Sequence, residues 1–152
     1  MDLARLRFGD WVMGIGGLAV LLVMFLDWYE VPTVVGVIGF NAWESLAVND
    51  VILAVAAVMA LTAFVLTAVQ PTAAVPLALA SLTTLVALVA LVLVVIRVIW
   101  TPDIAGVDTD RAAGVWLGLV ATSVLAAGCL ASIRDERLPR PDNPVEPRLV
   151  KP

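Results

Sequence analysis

The chain has 152 residues, of which 62% are hydrophobic and 14% charged, and its formal net charge at pH 7 is −4. Soluble domains are about 45–50% apolar and about 25% charged, so a water-soluble interior cannot absorb this apolar excess. The chain has no histidine and one cysteine, which excludes an internal disulfide, a histidine-dependent triad and the common zinc sites. No catalytic residue, cofactor, metal or nucleic-acid partner is predicted.

Four long apolar runs follow one another at about residues 11–29, 51–69, 76–98 and 112–133. Each approaches the length of about 20 residues that crosses a bilayer as a helix. None alternates polar and apolar residues as a membrane barrel strand does. We therefore predict an all-α membrane protein, a four-transmembrane-helix bundle whose partner is the lipid bilayer. Cleavage of the first run as a signal peptide is disfavoured, because Asp27–Glu30 contains no small-x-small site.

Small residues in two of the runs predict close helix packing. Gly14, Gly16 and Gly17 lie in the first run, where the lack of a side chain lets a neighbouring backbone approach. Gly114 and Gly118 lie four residues apart in the fourth run, the spacing of close helix crossings. This pair is predicted to serve packing inside the bundle or contact between two copies.

The segment between the first two spans, residues 30–50, is predicted to form a small outer cap. Val31–Phe40 is only half a span long, is rich in β-branched residues and is broken by Gly36 and Gly39. That composition favours a short hairpin or paired extended segments over a helix.

A helix is predicted to begin at the end of the cap. Asn41 and Glu44 have the spacing of a capping box, in which each side chain satisfies a backbone N–H of the other residue. The helix is predicted to run on to Val69, although Asn49 offers an alternative second start after a break.

Aromatic and basic residues fall near the predicted ends of the spans, where amphipathic side chains prefer the headgroup zone. Trp11 is predicted to mark the inner end of the first span. The rings predicted to lie at the outer interface are Trp28, Tyr29, Trp43, Trp100 and Trp116. Arg97 is predicted to reach water at the outer end of the third span, with Asp27, Glu30 or Asp50 as possible ion-pair partners.

The distribution of basic residues predicts the orientation. Seven of the nine lie before the first span or after the fourth, and an even number of spans places both termini on one side. These seven are Arg5, Arg7, Arg134, Arg137, Arg140, Arg148 and Lys151. Because basic loops stay inside, we expect a multi-pass protein of the bacterial plasma membrane with both termini cytoplasmic. Residues 134–152 are rich in proline and charge and are predicted to be a disordered cytoplasmic tail.

The run "FLDWY" at the end of the first span, followed by a short Val/Gly-rich segment and "NAWES", resembles a group of small bacterial four-span membrane proteins, many of them actinobacterial. In that group the pattern is Phe-Leu-Pro-Trp-Tyr, a variable loop and a small residue before Trp. The resemblance covers about residues 8–70, and Asp27 stands where the group has proline. It implies a four-span fold without indicating an activity, and it implies that Trp43 is an anchor that seats the cap.

Three functional hypotheses follow. The favoured one is a non-enzymatic structural or accessory protein that acts through its cap or helix faces on other membrane proteins or on itself. The alternative is a small oligomeric transporter or channel, which needs a polar path past residues such as Thr83 and Thr84. An enzyme acting on lipids through Asp27, Glu30 and Glu44 is the least favoured.

Overall fold

The computed structural model describes residues 6–45, 48–69, 74–102 and 109–136. The helices in this part of the chain are α1 (Phe8–Val23), α2 (Ala42–Ser45), α3 (Val48–Val69), α4 (Ala74–Ile99) and α5 (Ala113–Glu136). The strands are β1 (Asp27–Thr33), β2 (Gly36–Asn41) and β3 (Asp110–Arg111). The predicted combination of a mostly helical chain with a small hairpin-based sheet is confirmed.

Three of the helices are long and apolar enough to cross a membrane. They are α3, the Ala78–Ile99 part of α4 and the Ala113–Arg134 part of α5. α1 is also apolar but has only 16 residues, which at about 1.5 Å per residue gives roughly 24 Å.

The four longer helices pack side by side, so that α1 and α4 each contact both α3 and α5. The contact between α1 and α5 is the most extensive. These two helices run antiparallel, because Gly9 lies opposite Ser132 near one end and Gly16 lies opposite Leu125 further along.

The glycines of α1 bring its backbone into direct contact with its neighbours. A Cβ atom at Gly16 would lie 2.7 Å from the Leu125 Cα atom, closer than real side chains come. Gly14 is covered by the Phe64 ring of α3, and Gly17 lies against Ala57 of the same helix. The close packing predicted for this group of glycines is confirmed.

The distribution of large and small side chains between interior and surface is the reverse of that in a water-soluble bundle. Alanine dominates the buried positions of the helices: Ala56, Ala57, Ala60, Ala63, Ala80, Ala87, Ala90, Ala121 and Ala126. Large apolar side chains dominate the exposed positions, among them Ile15, Leu22, Val51, Val58, Leu85, Val92, Val120 and Leu130. In water this arrangement would leave most of the available hydrophobic area exposed to solvent. Small residues in the interior and large apolar residues on the surface suit helices that pack together in lipid.

The sequence predicted that the first apolar run stays helical to residue 29, and this prediction is wrong. α1 ends at Val23, and tight turns place the Phe25 and Leu26 N–H groups on the Leu22 and Val23 carbonyls, respectively. Asp27 to Thr33 then form β1. The run of aromatic and β-branched residues here favours a strand, and the ladder with β2 supplies hydrogen bonds that a longer helix would have supplied.

The other boundaries differ in smaller ways. The capping-box helix is the separate four-residue α2, and α3 begins at Val48; residues 46 and 47 between them lie outside the described residues. The predicted cap of residues 30–50 therefore begins earlier, at Asp27, and shares Val48–Asp50 with α3. α5 extends to Glu136, and the rest of the predicted tail, residues 137–152, lies outside the described part of the chain.

The sheet has the strand order β2-β1-β3, and both pairings are antiparallel. β1 and β2 form the predicted hairpin, in which Tyr29 pairs with Phe40 and Val31 with Ile38. β3 was not predicted, because two residues carry no periodic signal and their partners, Tyr29 and Glu30, lie some 80 positions away along the chain.

A buried carboxylate joins α1 to α5 at the end of the helices away from the sheet. Asp10 is only 3% exposed, and one of its oxygens accepts a 2.5 Å hydrogen bond from the Ser132 hydroxyl. The other oxygen accepts from the Arg7 backbone N–H at 3.0 Å, which caps the start of α1. This contact was not predicted from the sequence, because its two residues lie 122 positions apart along the chain.

We expect the substitution Gly128→Leu to separate α1 from α5 and to lower stability by about 1–3 kcal/mol or more, because a Cβ there already overlaps the Met13 backbone. The matched control is Ala127→Leu, since Ala127 is the exposed neighbour of Gly128 on α5 and should change stability by no more than about 0.5 kcal/mol. Thermal unfolding in mild detergent, followed by circular dichroism, compares the two. Equal midpoints would show that the α1–α5 contact tolerates bulk.

Candidate functional site at the sheet end of the helices

The sheet covers the end of the molecule at which α1 and α4 finish and α5 begins. We call β1, β2 and β3 together the capping sheet. Backbone hydrogen bonds join it to the chain around it: the Ala112 N–H donates to the Trp28 carbonyl at 3.0 Å, and the Ala42 N–H donates to the Met24 carbonyl at 3.2 Å. The sheet is therefore built into the helix ends and is not a detached loop.

Trp28 is the residue that locks the capping sheet to α1 and α5. Its side chain is fully buried. Its indole N–H donates at 2.9 Å to the carbonyl of Val23, which is the last residue of α1. The indole lies across Gly114 and Gly118, where a Cβ atom at either position would overlap its ring atoms. The two glycines thus form a slot on α5 that the ring of the same chain fills.

Tyr29 and Arg111 close the end of α4. The Tyr29 hydroxyl donates to the Arg97 carbonyl at 3.1 Å. The Arg111 guanidinium donates to the Val98 carbonyl at 2.8 Å and to the Ile99 carbonyl at 3.3 Å. The last carbonyls of a helix have no partner within it, so these two side chains satisfy groups that would otherwise need water.

The two faces of the capping sheet differ in character. Tyr29 and Arg111 are paired across β1 and β3, so they share the face that meets α4. Glu30 and Asp110 are the next pair and project from the opposite face. The Asp27 carboxylate lies over Gly39, the strand partner of Glu30, and is therefore on the same face as Glu30 and Asp110. The sheet is thus amphipathic, with its carboxylates turned away from the helices.

Two of the aromatic residues lie elsewhere than predicted. Trp28 and Tyr29 were expected to be anchors in the headgroup zone, but both side chains are fully buried beneath the sheet. Their polar atoms have helix-end carbonyls to bond, which offsets the cost of burying them. Trp100 and Trp116, 67% and 53% exposed, do lie on the surface at this end.

The structure places the predicted interaction residues separately. Trp43 lies on α2, is 41% exposed and stacks at a tilt on the exposed Phe25 ring, with 6.1 Å between ring centroids. Arg97 is half-buried near the end of α4, and within the described residues it forms no ion pair with Asp27, Glu30 or Asp50.

The capping box predicted before α2 is confirmed. The Asn41 N–H donates to the Glu44 carboxylate and the Glu44 N–H donates to the Asn41 side-chain oxygen, both at 3.1 Å. Glu44 is thereby committed to closing the helix start next to β2.

The hydroxyl groups along the long helices bond to their own helix. Thr83, Thr84 and Thr122 are buried, and each donates to the carbonyl four residues earlier at 2.7 Å. Within the described residues every buried side-chain nitrogen and oxygen has a hydrogen-bond partner. The same part of the chain contains no group of three or more Cys, Asp or Glu residues arranged to hold a metal ion.

Comparison with known proteins found no matching family model, no matching curated protein and no matching solved structure. The resemblance to small actinobacterial four-span proteins stays a prediction.

Burial raises the pKa of Tyr29 above its ordinary value, against the smaller lowering effect of Arg97 and Arg111. The unfolded chain loses the phenol proton near pH 10. The folded protein keeps that proton to a higher pH. The stability that Tyr29 contributes is complete below about pH 10 and is lost as the pH rises through the folded pKa. Tyr29 is the only tyrosine, so tyrosinate absorbance near 295 nm reports it alone. We expect a higher titration midpoint in the folded protein than in denaturant; equal midpoints would contradict the buried position.

We expect Trp28→Phe to destabilise the protein by roughly 1–3 kcal/mol, because it removes the hydrogen bond to Val23 and leaves part of the Gly114–Gly118 slot empty. Trp100→Phe is the matched control, since Trp100 is exposed and the same substitution there should cost no more than about 0.5 kcal/mol. Unfolding of both variants in detergent gives the comparison. If the control loses as much stability as Trp28→Phe, the slot does not hold the sheet.

Proposed function

We propose that this protein is a four-span integral membrane protein of the bacterial plasma membrane. It serves as a non-enzymatic structural or accessory component that acts through its capping sheet and helix faces. The observation that carries the proposal is the inverted packing, with alanine and glycine inside and large apolar side chains outside. Helices gain nothing by hiding leucine from lipid, so close backbone packing becomes the main attraction between them.

Two observations support α1 as the fourth span. α1 contacts α3 and α5, both of which are long enough to cross a membrane. Its outward side carries Phe8, Ile15, Leu18 and Leu22, each more than half exposed. The helix of roughly 24 Å is somewhat shorter than a hydrocarbon core of about 30 Å, a mismatch that local thinning of the bilayer accommodates.

The proposed orientation rests on the basic residues. The capping sheet then lies on the outer side, together with Asp27, Glu30 and Asp110. Both termini, which carry seven of the nine basic residues, lie in the cytoplasm.

The hydroxyl groups favour an accessory role over the alternative of an oligomeric transporter or channel. A transport path needs polar atoms that are free to bind a hydrated solute. The buried hydroxyls of Thr83, Thr84 and Thr122 instead bond to their own helices. The Asp10 oxygens also have partners, since they accept from the Ser132 hydroxyl on α5 and from the Arg7 backbone N–H.

Cysteine labelling in intact cells tests the membrane placement. In a Cys129→Ala background, a cysteine introduced at Thr33 should react with an impermeant maleimide from outside. A cysteine at Asn143 should react only after the cells are permeabilised. The reverse pattern would invert the proposed orientation. Labelling of both sites in intact cells would contradict an odd number of spans between them, and therefore the crossing of the membrane by all three of α3, α4 and α5.

Flux measurements separate the accessory role from the alternative. Proteoliposomes containing the protein should release a trapped small fluorescent anion, and dissipate a potassium gradient, no faster than protein-free vesicles. A leak that is abolished by Thr83→Val together with Thr84→Val would favour the channel. The matched control for the variant is Thr62→Val, which removes an exposed hydroxyl of the same kind on α3.

A further inference from the structure

The β1–β2 hairpin continues beyond the helix ends as an apolar arm. We call residues 31–38 the hairpin arm; none of them is charged. Val34 and Val35 at its turn are fully or almost fully exposed, and Val37 and Ile38 are 63% and 52% exposed. Four large apolar side chains in one short projecting segment are more than a soluble surface ordinarily leaves in water.

The strand register fixes the direction in which one face of the arm points. Tyr29, Val31 and Thr33 alternate along β1 and share a face, and their partners on β2 are Phe40, Ile38 and Gly36. Because the Tyr29 hydroxyl reaches the Arg97 carbonyl, this face points toward the end of α4. Val31 and Ile38 therefore extend the same face past the helices, toward the plane in which the helices end.

The carboxylates of the sheet point the other way. Glu30, Asp27 and Asp110 lie on the face opposite Tyr29. At its base the sheet is therefore apolar below and acidic above, which matches the boundary between a bilayer and water. Further out along the arm, Pro32 and Val37 occupy the upper face. A protein partner seated on top of the sheet would have to meet those carboxylates first.

Exposed aromatic rings mark the level from which the arm projects. Phe25 lies just before β1 and Trp43 just after β2, and the two rings contact each other. Trp100 and Trp116 are exposed at the same end of the helices. Rings in such positions prefer the headgroup zone, so the base of the arm lies at that depth.

We propose that the hairpin arm binds the outer leaflet, with Val31 and Ile38 facing the lipid and Val34 and Val35 in the headgroup–acyl boundary. This inference rests on the proposed membrane placement of the helices. Among the described strands, β2 pairs only with β1, so its outer edge has backbone groups that no strand there satisfies and that cannot enter dry hydrocarbon. The arm therefore inserts shallowly, to the depth of about 5–10 Å typical of interfacial elements, and widens the footprint of a narrow bundle.

Site-directed fluorescence in nanodiscs tests the proposal. Single cysteines replace Val35, Asp110 or Val58 in the Cys129→Ala background, and each is labelled with the environment-sensitive dye NBD. The nanodiscs contain phosphatidylethanolamine and phosphatidylglycerol, with or without phosphatidylcholine carrying a nitroxide near the top of its acyl chain. Iodide serves as the quencher from water. Asp110 is the control on the acidic face, and Val58 is the control on the exposed side of α3.

We expect the dye at Val35 to lose more emission to the nitroxide lipid than the dye at Asp110, and less to iodide. If iodide quenches the dye at Val35 and the nitroxide does not, the proposal is overturned. The arm would then lie in water, where its strand edge is open to pairing with an extended peptide. Protection from both quenchers would also overturn it, because protein would then cover the arm. Val58 separates the two claims: if the nitroxide fails to quench a dye there, the membrane placement itself is wrong.

Discussion

The carbonyl groups at the ends of α1 and α4 are the constraint on which this structure depends. A helix that ends near a membrane surface has several backbone acceptors without partners and little water to supply them. Here the Trp28 indole gives the Val23 carbonyl at the end of α1 a second donor besides the Leu26 N–H, and Tyr29 with Arg111 serves the end of α4. Two of these three residues lie in the same short strand, so a single β-strand joins helices that make little direct contact with each other. The capping sheet is thus a device for ending helices as much as a surface.

The small-residue interior explains why such a device is needed. Contacts between alanine and glycine allow close approach but bury little side-chain area, so the helices have few large groups to interlock. Trp28 and Tyr29, fully buried between the sheet and the helix ends, supply the largest interlocking side chains of the described core. At the far end, the hydrogen bond between Asp10 and Ser132 fixes α1 against α5. The hydrogen bonds described here therefore join the elements at the ends of the helices, while the middle parts of the helices meet through close contacts of glycine and alanine.

The sequence predicted what depends on composition and on neighbouring residues. Long apolar runs indicated the helices, the Val/Gly-rich segment indicated the hairpin, and Asn41 with Glu44 indicated the capping box, all of which the structure contains. What it missed depends on contacts between distant residues. Trp28 has the amphipathic character of a headgroup anchor, and only the Gly114–Gly118 slot of α5, some 90 residues later, makes it a core residue. β3 and the partner of Asp10 were missed for the same reason.

The occupied slot on α5 has a consequence for association between copies. The spacing of Gly114 and Gly118 permits either a neighbouring helix or another flat group to approach, and in this chain the Trp28 ring fills it. A second copy cannot use the same glycines without displacing a fully buried indole and breaking its bond to Val23. Any association through α5 would therefore have to use other exposed residues, which include the large side chain of Val120 and the small ones of Ser123 and Ala127. The spacing of the glycine pair predicted either packing within the bundle or contact between two copies, and the position of the Trp28 ring over both glycines favours packing within the chain.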